Sequence, residues 1–124
     1  MLVRYLVRDE PRQAEKASSY IRKAIASGES LFINYVVLCE LVWVLESAYG
    51  YTKEEISDTL EKILVTKHVE IESKDIVHQA IHDYRDGSGD IADYIIGRIN
   101  RFRGCDITAT FDQALKNNPG FLIL

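Results

Sequence analysis

Carboxylates occur in this sequence at several positions where their neighbours give them chemical meaning. Glu40 is the only charged side chain in the run Val36–Leu45, and its helical neighbours three and four positions away are Val36, Val37, Trp43 and Val44. Stripped of water in such company, a carboxylate needs a cation, an arginine or a proton to offset its lost hydration. A structural ion pair and a functional site both satisfy that need. Asp90 and Asp93 lie three apart at the start of an otherwise apolar segment. Singly they read as an N-cap and a dipole-favoured third residue of a helix. Asp112 follows Thr110 and Phe111 directly after a short apolar stretch. It is either the cap of a short helix or a group at the carboxyl end of a strand, where parallel sheets bind ligands. Converging from a helix interior, a helix start and a strand end, these acids would line a pocket of oxygen donors. Such a pocket suits Mg²⁺ or Mn²⁺, and the chemistry is polarisation of a phosphodiester with activation of water.

Other polar groups are weaker candidates. His78 and His82 are four apart, with Asp75 and Asp86 extending their stripe. A zinc site would need a further strong ligand, and a solvated helix face explains the pattern as well. Trp43 and the seven tyrosines could stack on bases, but their spacing reads first as core. Arg101, eight positions beyond Asp93, could touch an RNA phosphate, whereas Arg98 and Arg103 read as solvated surface. Cys39 lies in an apolar run as an inert thiol, and the two cysteines form no Cys-x-x-Cys pair.

The elements that would position these groups follow from periodicity and punctuation. A helix is expected over 12–26, closed by Gly28, then a strand at 31–33. Asn34 caps a helix running to about Tyr49, and Thr52 with Glu55 forms a capping box for the next. The stretch 68–72 alternates as a strand, and Ser73 caps a helix with Ile76, Val77, Ala80, Ile81 and Tyr84 inward. Asp86-Gly87-Ser88-Gly89 is a loop, followed by a helix over 90–103, a strand at 107–110, a short helix at 113–117 and a last strand at 121–124. Short strands alternating with helices predict an α/β domain whose parallel sheet is covered on both faces.

Composition bounds the reading without directing it. With 124 residues, 47% hydrophobic and 27% charged, the chain suits one soluble domain and not a disordered segment. A net charge of −4 offers no large positive field for nucleic acid, although a cation held by acids would bring its own. The apolar runs are too short for a secretory signal or a bilayer span, so a cytoplasmic protein without a membrane partner is expected.

Four pieces of the chain, in order, resemble the PIN-domain family, specifically the VapC-type toxins of toxin–antitoxin pairs. They are Leu2-Val3-Arg4-Tyr5-Leu6-Val7-Arg8-Asp9-Glu10-Pro11, Glu40-Leu41-Val42-Trp43-Val44-Leu45, Asp90-Ile91-Ala92-Asp93 and Thr110-Phe111-Asp112. The resemblance implies a three-layer α/β/α PIN-like domain over 1–124 with a short parallel sheet. It also implies a divalent-metal-dependent ribonuclease acting on RNA, an antitoxin partner that covers the acidic pocket, and a homodimer. Glu40, Asp93 and Asp112 match metal-binding acids of that pattern, Asp90 an accessory acid, and Thr110 a supporting hydroxyl.

One departure stands out. The family's first acid lies in an Asp-Thr-Asn motif at the end of an opening strand, just before a sequence like Leu2–Leu6, and often has valine where Met1 stands. The expectation is that translation starts upstream of Met1, and that this chain alone has weak or absent nuclease activity. The alternative is a catalytically impaired PIN-like protein that still binds an antitoxin-like partner. A phosphoacceptor domain of the response-regulator kind would want adjacent acids after an early strand and a late lysine after another, and neither pattern is present.

Overall fold

The computed structural model describes residues 26–124, with Ser19, Arg22 and Lys23 before them. Most of the helix expected over 12–26, and the Leu2–Pro11 piece of the resemblance, lie outside the described residues. The chain there runs β1 (Leu31–Ile33), α1 (Tyr35–Ser47), α2 (Lys53–Leu64), β2 (Val69–Ile71), α3 (Lys74–Asp86), α4 (Ile91–Phe102), β3 (Thr108–Thr110), a 3₁₀ turn (Gln113–Leu115) and β4 (Phe121–Ile123). This is the mixed α/β order expected.

Local chemistry explains the boundaries. Asn34 Oδ1 accepts from Val37 N at 2.9 Å and starts α1. At α2, Thr52 Oγ1 accepts from Glu55 N at 3.2 Å while Glu55 Oε1 accepts from Thr52 N at 3.1 Å, so two otherwise orphaned amides are satisfied. Ser73 departs from expectation. It stands before α3 in the left-handed region at φ 46° and makes no side-chain cap. The neighbouring Glu72 instead reaches across to accept from Tyr35 N at 3.0 Å, tying the end of β2 to the start of α1.

The helices share one core. Leu38, Leu41, Val42 and Leu45 of α1 meet Ile56, Leu60, Ile63 and Leu64 of α2, Val77, Ala80, Ile81 and Tyr84 of α3, and Ile91, Tyr94 and Ile95 of α4. Each set follows the three-and-four spacing of a helix face, and each buried Leu or Ile contributes about 1.5–3 kcal/mol. No helix among the described residues is long and apolar enough to cross a membrane.

The strands pair in parallel as expected, and among the described residues they form two ladders. β1 pairs with β2 and β3 with β4, both in parallel, as two separate two-stranded ladders. A continuous sheet needs β1 and β3 to pair directly or through a strand between them, and none does so among the described residues. The middle residue of every strand (Phe32, Glu70, Ala109, Leu122) faces solvent, with Phe32 63% and Leu122 51% exposed. One strand face is therefore open. Trp43, expected in the core, is also 68% exposed, while Tyr84 and Tyr94 are buried as expected.

Candidate metal centre

Three acids meet where β3 ends and α4 begins. Asp90 occupies the N-cap position of α4, and Asp93, three residues on, turns back so that its Oδ2 accepts from Asp90 N at 3.2 Å. Asp112 stands two residues past β3 and caps the 3₁₀ turn, with Oδ1 accepting from Ala114 N at 2.9 Å. The Thr110 hydroxyl accepts from Asp112 N at 3.1 Å and fixes the backbone that carries this acid. One carboxylate oxygen from each of Asp90, Asp93 and Asp112 lies within 4.8 Å of the others. Asp93 and Asp112 each accept a capping amide, and the three carboxylates still converge.

Their electrostatics reflect the crowding. Burial pushes the Asp93 carboxyl above its ordinary range, and the charges of Asp112 and Asp90 add to that push against the opposing Asp90 amide. Mutual repulsion among oxygen-only donors is what a hard divalent cation relieves, so the donor set fits Mg²⁺ or Mn²⁺.

Glu40 is placed differently from the surroundings its sequence neighbours suggested. It is exposed on α1, as are Val36, Val37 and Trp43, so the loss of hydration inferred from apolar neighbours does not apply. It lies outside the group of three aspartates. His78 and His82 are exposed on α3, and neither joins a group of three potential ligands among the described residues; His82 Nδ1 lies 4.0 Å from Asp86. Cys39 is half-buried, which pushes its thiol up, and Cys105 is exposed. Arg98 is not a freely solvated residue. Its Nε and Nη2 donate to the two Asp83 oxygens at 2.6 and 2.8 Å, clamping α4 to α3.

A set of residues that the sequence reading passed over holds the acids in place. The loop 87–89, which delivers Asp90, is tied at every residue. Lys53 Nζ donates to Gly87 O, Ser88 Oγ donates to Ala114 O at 2.6 Å, and Gly89 N donates to Tyr94 Oη at 3.0 Å. Tyr94 Oη in turn donates to Asn118 Oδ1 at 2.8 Å. Lys53 also lies 4.9 Å over the Tyr84 ring, whose hydroxyl is pushed up to about 12 by burial first and then by Glu46 and Asp90. Tyr84 therefore stays protonated and donates to Glu46 Oε1 at 3.4 Å. The sequence signal was the glycine pair around Ser88. A Cβ at Gly87 would stand 1.9 Å from Tyr94 Oη, and one at Gly89 would stand 2.5 Å from Leu115 Cδ2.

No protein-family model matches the chain, and no solved structure matches it. A protein named VapC ribonuclease from Aquifex aeolicus (strain VF5) is 30% identical over 84 residues, covering 68% of this chain and 62% of that relative. The chain thus spans less than two thirds of the length of this curated relative.

Proposed function

We propose that this chain is a divalent-metal-dependent endoribonuclease of the VapC type, the toxin of a toxin–antitoxin pair, built as a single three-layer PIN-like domain. The observation that carries the reading is the convergence of Asp90, Asp93 and Asp112 within 4.8 Å beyond the carboxyl end of β3. Similarity to a relative named VapC ribonuclease supports the same reading. Asp93 and Asp112 hold Mg²⁺ or Mn²⁺, Asp90 assists as accessory acid, Glu40 serves as a further acid, and Thr110 supports Asp112. When bound, the cation supplies Lewis-acid polarisation of a phosphodiester and a lowered pKa for water.

The chain's own contribution is placement. Asp112 is oriented by Ala114 N and by the Thr110 hydroxyl beneath its amide, and Asp93 by Asp90 N. Lys53, Ser88 and Tyr94 immobilise the loop that brings Asp90 to the other two. Donors fixed before the reaction need no reorganisation during it. The reading includes cytoplasmic RNA as substrate, an antitoxin protein that occludes the acids, and a homodimer.

A second reading, a catalytically impaired PIN-like protein that pairs with an antitoxin-like partner, draws on Glu40, which is exposed and apart from the three aspartates. RNA cleavage with Mg²⁺ or Mn²⁺ separates the two. The nuclease reading expects cutting that chelator abolishes and that Asp93→Asn reduces beyond the about 10–100-fold typical for loss of an outer supporting residue. A folded chain that leaves RNA intact at every metal concentration supports the second reading instead.

A further inference from the structure

A cavity of about 600 Å³ lies beside the acidic centre, along the flank of α4 and against the segment that leads into β4. Its volume falls in the range of roughly 300–1,000 Å³ typical of small-molecule sites. Tyr94, the neighbour of Asp93, and Arg101 both line it. Eight residues of helix separate Asp93 from Arg101, a rise of about 12 Å. Ser88, also in the lining, bonds to Ala114, whose amide Asp112 accepts, so the cavity adjoins residues that hold the acids.

The lining has an apolar part and a cationic part. Phe121 packs edge-on against Tyr94, with ring centroids 6.0 Å apart, and rests on Gly97, where a Cβ would meet its ring at 2.8 Å. The charged residues divide into spent and unspent. Arg98 is spent on Asp83, whereas Asp86, exposed and 4.0 Å from the exposed His82, keeps its charge. Arg101 from α4 and Lys116 from the segment after the 3₁₀ turn have no ion-pair partner among the described residues. The Arg101 guanidinium extends over Gly120, whose missing side chain leaves Nη2 3.8 Å from where a Cβ would be. Asp86 and Asp106 are the remaining acids of the lining.

We propose that this cavity holds one nucleotide of a single-stranded RNA beside the acidic centre, with its phosphate between Arg101 and Lys116 and its base against Phe121. Two unspent cations beside an aromatic wall match a phosphate joined to a base, and neither a bare phosphate nor an apolar ligand uses both parts. The proposal rests on the ribonuclease reading for the identity of the polynucleotide as RNA.

The test is binding of a short fluorescein-labelled single-stranded RNA in chelator, read by anisotropy across a salt series. The Arg101→Ala, Lys116→Ala double variant is expected to bind at least about tenfold more weakly, with the log–log salt slope reduced by about 0.7 for the one phosphate no longer neutralised. Arg101→Lys keeps the slope, and Lys62→Ala, on α2, changes nothing. Wild-type affinity and slope in the double variant overturn the proposal, as does a wild-type chain that binds no RNA. Displacement of the RNA by a nucleoside monophosphate at lower concentration than by inorganic phosphate, at equal ionic strength, supports it. Displacement by phosphate alone as effective as by a nucleoside monophosphate overturns the role of Phe121. Cleavage with Mn²⁺ separates this failure from failure of the nuclease reading. Unchanged KM in the double variant sinks the cavity alone, whereas Arg101-dependent binding without cutting sinks the nuclease alone.

Discussion

The Tyr94 hydroxyl accepts the Gly89 amide at 3.0 Å, so the residue after Asp93 holds the residue before Asp90. One side chain thereby fixes the approach of two acids to each other, and its second bond, to Asn118, extends the tie to the segment before β4. Tyr94→Phe removes both bonds and leaves the buried Gly89 amide unsatisfied. The expected loss of stability is about 1–3 kcal/mol, measured by urea unfolding. Because the acids lose a common anchor, Mn²⁺ affinity should fall along with stability.

The close approach at Gly87 gives a steric prediction. Gly87→Ala would drive a methyl group into Tyr94 Oη, a contact of 1.9 Å that the protein can relieve only by moving the loop or the ring. A cost of about 1–3 kcal/mol is expected, again by urea unfolding. Backbone strain has no part in it, since the φ of Gly87 is −102°. A stability equal to that of the unaltered chain would show that the loop is free to move.

Much of this arrangement was legible in the sequence, and its limits have physical causes. Asp90 and Asp93 could be paired from their spacing, and Asp112 placed at a strand end, because caps and short strands are encoded locally. The Asn34 and Thr52 caps were legible for the same reason. Glu40 misled because apolar neighbours on a helix state residue type and not coverage, and Val36, Val37 and Trp43 are exposed. The strand pairings and the bond between Tyr94 and Asn118 join residues distant in sequence, for which no local pattern exists. Arg98 looked like solvated surface because its partner Asp83 belongs to another helix.

The raised Asp93 carboxyl has a consequence for pH. A carboxyl held above its ordinary value of 3.8 in the folded chain binds its proton more tightly there than in the unfolded chain. Its contribution to stability is therefore full below the unfolded value and is lost as pH rises through the folded one. In chelator, thermal scans should show stability falling across that window. Asp93→Asn should flatten the fall and raise the midpoint at neutral pH, while losing the stabilisation that added Mn²⁺ gives the unaltered chain.

The ion pairs of α3 should differ in worth. Asp83 and Arg98 are both partly shielded and bonded twice, at 2.6 and 2.8 Å, whereas the Arg85 contacts to Asp58 and Glu61 are more exposed. Asp83→Ala should cost about 1–3 kcal/mol by urea unfolding, since it strands a guanidinium. Glu61→Ala should cost less than about 1 kcal/mol. Equal losses would show that the bidentate geometry adds nothing.

The central claim is that Asp90, Asp93 and Asp112 together hold a divalent cation. Calorimetric titration with Mn²⁺ tests it most directly, comparing the unaltered chain with Asp93→Asn and Asp112→Asn, each verified as folded by circular dichroism. The account predicts one saturable Mn²⁺ site per chain, with affinity at least about tenfold weaker in either variant. Mn²⁺ binding that survives both substitutions unchanged, or a folded chain that binds no Mn²⁺, would contradict it.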